Sequence, residues 1–328
     1  MITYIIRRCL IAIPMLLAMS VIAFTLIQLP PGDYLDRKIQ NLKKQYGSAA
    51  HIPEIEQLRV RYGLDKPVYM RYFKWVGGCL HGDFGESFDY NREVNELIWD
   101  RVALTVFISI CSMIMVYSIA IPLGIYSATH QYKWQDNSLT FIAFMGMSLP
   151  GFLLALALMV FFFHIFQVPL YGLNSLRFQD APWNWDRIVD FLKHLVIPVT
   201  VVAINGTAGL MRVMRGNLLD VLGQPFVQTA RAKGLKERVV IYKHAVRIAI
   251  NPLVSSLGMA LPGILAGDAI ISIILGLPTM GPLLLNALLL EDIYLGGTLM
   301  MMYAVLLIIG NLLADIALAW VDPRIRYE

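Results

Sequence analysis

"FVQTARAKGLKERVV", residues 226–240, crowds four basic residues and one glutamate around a glycine, between flanking segments that are almost wholly apolar. Of the 328 residues, 57% are apolar and 15% charged. A soluble domain carries about one quarter charged residues, so the chain reads as an integral membrane protein. The quoted stretch is then a place where the chain leaves the bilayer.

Charge-poor runs of about 20 residues cross a hydrocarbon layer as helices, because in lipid every backbone polar group must be satisfied within its own segment. Runs at roughly 9–29, 103–128, 139–167, 195–211, 248–275 and 298–321 qualify. They predict an all-α integral membrane protein with six transmembrane helices. The first run follows Arg7-Arg8, but it is too long for a signal-peptide core and lacks a convincing small-x-small cleavage site, so it reads as a retained span. Pro14, Pro122, Pro150, Pro198, Pro252 and Pro262 lie within or at the edges of spans and predict kinks or span ends.

Sidedness follows from the short loops. Residues 212–247 hold Arg212, Arg215, Arg231, Lys233, Lys236, Arg238, Lys243 and Arg247 against Asp220 and Glu237. Residues 168–194 and 276–297 hold Arg177, Arg187 and Lys193 against Asp180, Asp186, Asp190, Glu291 and Asp292. With the N-terminus cytoplasmic, the basic loop lies inside and the acidic loops outside, as the positive-inside rule requires. Both termini are then cytoplasmic. The expected organisation is a first helix over 1–29 and a small helical extracytoplasmic domain over 30–102. A five-helix core over 103–321 follows, with its cytoplasmic loop at 212–247 and a tail at 322–328. Within the outer domain, "IPEIEQLRVRYGL" (52–64) and "KPVYMRYFKWVGG" (66–78) have helical spacing. Tyr69, Tyr72, Phe73 and Val76 fit packed core or an interfacial belt better than a ligand cage.

The sequence offers no catalytic set. "GLPTMGPL" (276–283) has the glycine spacing of a phosphate-binding loop but Pro282 where the lysine belongs. No G-x-S-x-G, H-E-x-x-H or intramembrane carboxylate pair occurs. Cys9, Cys79 and Cys111 are far apart, and the six histidines are scattered, which predicts no metal site. Asp268, inside the fifth span, is a candidate path-lining group or a carboxylate bonded to a neighbouring helix. Asp315, one turn after Asn311, predicts interhelical hydrogen bonds.

The opening stretch can be read on its own physics. Pro225 suits a first helical turn and Gly234 a left-handed C-terminal stop. Lys233 sits in the last turn, where the helix dipole favours a cation. Between them Phe226, Gln228, Thr229, Ala230, Arg231 and Ala232 make about two turns, with small residues that allow another surface close. Such a helix either docks on a protein or lies on the headgroups of membrane lipids.

"FVQTARAKGL…HAVRIAINP" (226–252) resembles the cytoplasmic EAA-type loop of binding-protein-dependent ABC importer permeases, closest to the B-type subunit of the dipeptide, oligopeptide and nickel group. "YIIRRCLIAIPMLLAMSVIAFTLIQLPPGD" (4–33), "RYGLDKPVYMRYFKWVGGCLHGDFGESF" (61–88) and "DPRIR" (322–326) are similar to that family's first span, external segment and tail. The resemblance covers nearly the whole chain. It implies a non-catalytic subunit of a bacterial or archaeal cytoplasmic membrane. Its partners would be a homologous permease, two cytoplasmic ATPases that bind ATP and Mg, and an extracytoplasmic substrate-binding protein. No nucleic acid and no cofactor bound by the chain itself is implied.

Gln228, Thr229, Ala230 and Gly234 occupy the EAA-x-x-x-G core, with Gln228 in the place of the general motif's glutamate. In "GDAIISIILGLPTMG" (267–281), Asp268 stands where the family often has an apolar residue, and Ser272 where it often has an acid. Di- and oligopeptides are the implied substrates. Oligosaccharides remain an alternative, suggested by "DAPWNWDRIVDFLKH" (180–194). Nickel is another, although His164 and His194 alone make no metal path. From a different class, a stand-alone proton-coupled carrier or channel also remains open.

Overall fold

The structure, a computed structural model, describes residues 2–29, 65–167, 169–179, 181–257 and 269–321. The described residues are helical apart from turns, with one isolated bridge between Glu86 and Glu93 and no strand. We number the helices α1 (Ile2–Gln28), α2 (Val68–Leu80), α3 (Val94–Thr129), α4 (Trp134–Ser148), α5 (Gly151–Phe166), α6 (Trp185–Leu222) and α7 (Pro225–Ala232). The run Glu237–Val239, Val240–Ala245 and Val246–Ala249, π-helical in its middle part, is α8. Then come α9 (Ala269–Ile274), α10 (Met280–Leu289) and α11 (Ile293–Val321).

Among the described residues, four helices are long and apolar enough to cross a membrane: Ile6–Gln28 of α1, α3, α6, and Ile293–Ala317 of α11. The expected third span is two helices, α4 and α5, that meet at 98°. Pro150 explains the break. It offers no N–H to α4, and it holds Leu149 in an extended conformation at ψ 122°, so α5 starts afresh with Leu153 N–H donating to Pro150 O (2.9 Å). Pro122 and Pro198, by contrast, are accommodated inside the unbroken helices α3 and α6. The fifth expected span begins helical, but 258–268 lie outside the described residues, as do 52–64, Asp268 and the tail.

Two boundaries move. Helix α3 begins at Val94 rather than 103, and α6 spans Trp185–Leu222 rather than 195–211. Helical hydrogen bonding continues through polar flanking turns that a hydropathy window discards. Arg212 and Arg215 therefore ride on α6 instead of opening a loop.

Helices α3 and α6 approach closely because glycines sit at their contact. A Cβ on Gly124 would lie 2.7 Å from Met214 Cβ, and one on Gly206 2.9 Å from Val116 Cγ2. Helices α1 and α11 pair by packing and by an ion pair, Arg8 Nη2 to Asp315 Oδ2 at 2.8 Å. Asp315 is thus interhelical, as expected.

The described part of the outer segment, 65–93, has no separate core. Trp75 of α2 is buried with Phe24 and Ile27 of α1, Phe88, and Ile293 of α11. Its indole N–H donates to Thr298 Oγ1 (3.4 Å), and Tyr72 and Ser20 hydroxyls pair at 2.8 Å. Tyr69 and Phe73, on the other face of α2, are exposed.

Residues 276–297 contain α10, and Glu291 and Asp292, which follow it, are buried. Asp292 accepts from Ser87 Oγ (2.6 Å) and Phe88 N–H (2.8 Å) at Oδ2, and from Leu295 N–H (3.1 Å) at Oδ1. One carboxylate thereby caps α11 and ties the 83–93 turn to it.

Candidate coupling surface

Helix α7 is short because its sequence marks both ends. Pro225 occupies the first turn, behind Gln224 in an extended conformation (φ −71°, ψ 147°). At the other end Gly234 adopts φ +73°. There Gly234 N–H donates to Arg231 O (2.9 Å) and Leu235 N–H to Ala230 O (3.4 Å), the paired bonds of a Schellman stop. A side chain at Gly234 would meet no neighbour within 4 Å, so the backbone angle, not space, is what requires glycine.

Eight residues of isolated helix would not hold together in water; tertiary packing must fix them. Val227 and Ala230, one turn apart, supply that face. They are buried among Ile125 and Ala128 of α3, Met214 and Leu218 of α6, Val240, Ala245 and Ala249 of α8, and Leu253. Full burial of a valine side chain contributes about 1.5–3 kcal/mol.

Next in sequence to Ala128 and Met214 of this cluster, Ser127 and Arg215 take part in a buried ion-pair site. Asp136, in the first turn of α4, receives Arg215 Nε at Oδ1 and Arg215 Nη2 at Oδ2, each at 2.7 Å. Ser127 Oγ donates to Oδ1, and Tyr132 N–H to Oδ2 (3.0 Å). The carboxylate is 2% exposed, and four donors satisfy it. The end of α3, the start of α4 and the late turns of α6 are thus clamped together.

The remaining residues of α7 face outward. Phe226, Gln228, Thr229, Arg231, Ala232 and Lys233 are exposed, and Gly234 lies on the turn beside them. Ala230 departs from the sequence expectation: it faces the chain's own core, so only Thr229 and Ala232 of the small residues are open to another surface. Thr229 Oγ1 donates back to Pro225 O (2.9 Å). Arg231 reaches over the glycine turn to Glu237, with Nη2–Oε1 at 2.7 Å and Nε–Oε2 at 3.1 Å. This bidentate pair holds the Glu237 carboxyl below the usual glutamate range. Gln228 has one long contact, Nε2 to Gly223 O at 3.5 Å, and its amide is otherwise turned outward.

Sequence reasoning missed Val227, Asp136 and Glu237. The signal for Val227 was its one-turn spacing from Ala230, and for Asp136 its place in a helix's first turn; for Glu237 no local pattern reveals the partner. His194 is buried with Nδ1 on Asp190 O (2.8 Å), and among the described residues no group of three His, Cys, Asp or Glu side chains could hold a metal ion.

Comparison with known proteins agrees with this architecture. Residues 120–327 match the family "binding-protein-dependent transport system inner membrane component", and residues 1–109 match its N-terminal companion. The chain is 36% identical to the oligopeptide transport system permease protein AppB of Bacillus subtilis (strain 168), over 100% of both chains. It is 31% identical to the oligopeptide transport system permease protein OppB of Haemophilus influenzae, again over 100% of both. Identity to the inner membrane ABC transporter permease protein YejB of Escherichia coli O157:H7 is 30%, over 99% of both. The chain therefore belongs to the binding-protein-dependent transport system inner membrane component family, as a permease subunit of an ABC importer.

Proposed function

We propose that the chain forms half of a peptide-import path and receives the stroke of cytoplasmic ATPases through α7. The observation that carries this reading is the two-sided build of α7, with Val227 and Ala230 locked into the α3–α6 core and Phe226, Gln228, Thr229, Arg231, Ala232 and Lys233 left open. A push on the open face is transmitted directly to α3 and α6. The Asp136–Arg215 clamp carries it to α4.

In this reading both termini and α7 are cytoplasmic, six helices cross the membrane, and 30–102 lie outside. ATP and Mg are bound by two partner ATPases, not by this chain. A homologous permease completes the path, and an extracytoplasmic binding protein delivers substrate. Di- and oligopeptides are favoured because AppB and OppB, which match along their whole length, are oligopeptide permeases by name. Asp268 remains our candidate path-lining group. Replacing it with Asn should weaken transport of cationic peptides in a reconstituted complex, and unchanged transport would reject that role.

The oligosaccharide alternative draws on Trp183 and Trp185, both exposed. Trp183, however, is already stacked under the Arg187 guanidinium at 4.4 Å. The test of the whole reading is Gly234→Leu. Left-handed backbone costs a branched residue about 1–2 kcal/mol, too little to prevent insertion. The variant should insert normally yet lose substrate-stimulated ATP hydrolysis in the assembled complex. Wild-type coupling would remove α7 from this role.

A further inference from the structure

We propose that a small cavity between α3, α6 and the α9–α10 turn is an ordered-water site, held by Ser112 and Thr279. The cavity, about 40 Å³, is lined by Thr105, Ser109, Ser112, Ser272 and Thr279 among apolar neighbours that include Pro198 and Leu277. Thr105, Ser109 and Ser112 share one face of α3, and each is at most 3% exposed. Two of them are internally satisfied: Thr105 Oγ1 donates to Arg101 O (2.8 Å) and Ser109 Oγ to Thr105 O (2.6 Å).

Ser112, one turn further on, does not follow them. Among the described residues, its Oγ and Thr279 Oγ1 are buried with no hydrogen-bond partner. Both line the same cavity.

Local sequence narrows the partners open to Thr279. It stands at the N-cap of α10, where a threonine hydroxyl ordinarily accepts from the second or third helical N–H. The third residue is Pro282, which has no N–H. The first N–H of α10, that of Met280, is taken across the helix interface by Thr105 Oγ1 (3.0 Å). That leaves Gly281 N–H as the one cap donor within reach, and Thr279 makes no side-chain cap bond; its hydroxyl, 5% exposed, lines the cavity instead. Two orphaned hydroxyls at the depth of the spans would each forgo a hydrogen bond. One water bonded to both removes that penalty, and a site needs only about 10–15 Å³ of accessible space to hold one. Ser109 and Ser272 supply further acceptors around it.

X-ray radiolytic footprinting of the full chain, co-purified with its partner subunits in nanodiscs, tests the site. Radicals formed from bound water oxidise adjacent side chains. Leu277, 4% exposed, should be oxidised at least about threefold more than Leu283 and Leu253, two comparably buried leucines away from the cavity. In Ser112→Ala combined with Thr279→Val, Leu277 should fall to the level of those controls. The single variant Ser112→Ala should lower the thermal midpoint, because it removes a ligand of the water; in a dry cavity it would delete an orphaned hydroxyl and raise the midpoint. Equal labelling of the three leucines, or a raised midpoint with Ser112→Ala, overturns the proposal.

Discussion

At its Val94 end, α3 sits beside a buried carboxylate, Asp292, whose partners are a serine hydroxyl and backbone N–H groups. At its Thr129 end it sits beside another, Asp136, whose main partner is the guanidinium of Arg215. The first arrangement joins a turn to a helix start and closes that end, with Trp75 packed over it. The second joins α4 to α6, the helix that with α3 holds a short helix whose outer face is open. A carboxylate bonded to backbone fixes loops in place. A charge pair between two helices fixes their relative position, which is what the transmission we propose through α7 requires.

Breaking the pair should have the largest effect. Arg215→Ala strands the Asp136 charge among buried neighbours, at a cost of about 3–5 kcal/mol. We expect sharply reduced yield of folded protein, read by fluorescence-detected size exclusion, with much of the loss recovered in Asp136→Leu combined with Arg215→Met. Asp292→Ala comes next. It leaves Ser87 Oγ, Phe88 N–H and Leu295 N–H without their acceptor, for about 1–3 kcal/mol. Hydrogen exchange should quicken across 83–93 and leave 225–234 unchanged, because the two ends share no partner.

Val227→Ala should cost less, about 1–2 kcal/mol for the lost methyl groups and the gap they leave. Its signature is functional. With α7 loosened from α3 and α6, ATP hydrolysis should persist while substrate transport drops, in a reconstituted assay that follows both. The smallest change is Glu237→Gln, which removes a solvent-exposed pair worth at most about 1 kcal/mol. Because Arg231 depresses the Glu237 pKa, the pair's stabilisation is present above the ordinary glutamate value, near 4.3, and is lost as pH falls through the lower folded value. A pH titration of α7 protection should therefore be flat from 7 to 5 and fall only below that in the wild type, with no such step in the variant.

Much of this was legible in residues alone. Hydropathy located α1, α3, α6 and α11 because a bilayer demands long apolar helices. Pro225 and Gly234 bounded α7 because their backbone chemistry is local. Pro150 marks a kink or a helix end for the same reason. The helix ends were misjudged where polar turns extend α3 and α6, since hydropathy registers lipid contact and not backbone hydrogen bonding.

What the sequence determined by itself, then, is the set of properties that each segment carries alone: apolar length, capping residues, charge, and the motif order that marks the family. Only the tertiary structure decided which face of α7 is spent on the core. It also decided that Ala230 belongs to that face, that Arg215 meets Asp136 across 79 positions of chain, and that Asp292 turns inward to Ser87. These are pairings between distant residues. Their energy comes from burying a charge or a methyl group against a specific partner, and no single segment encodes where that partner will be.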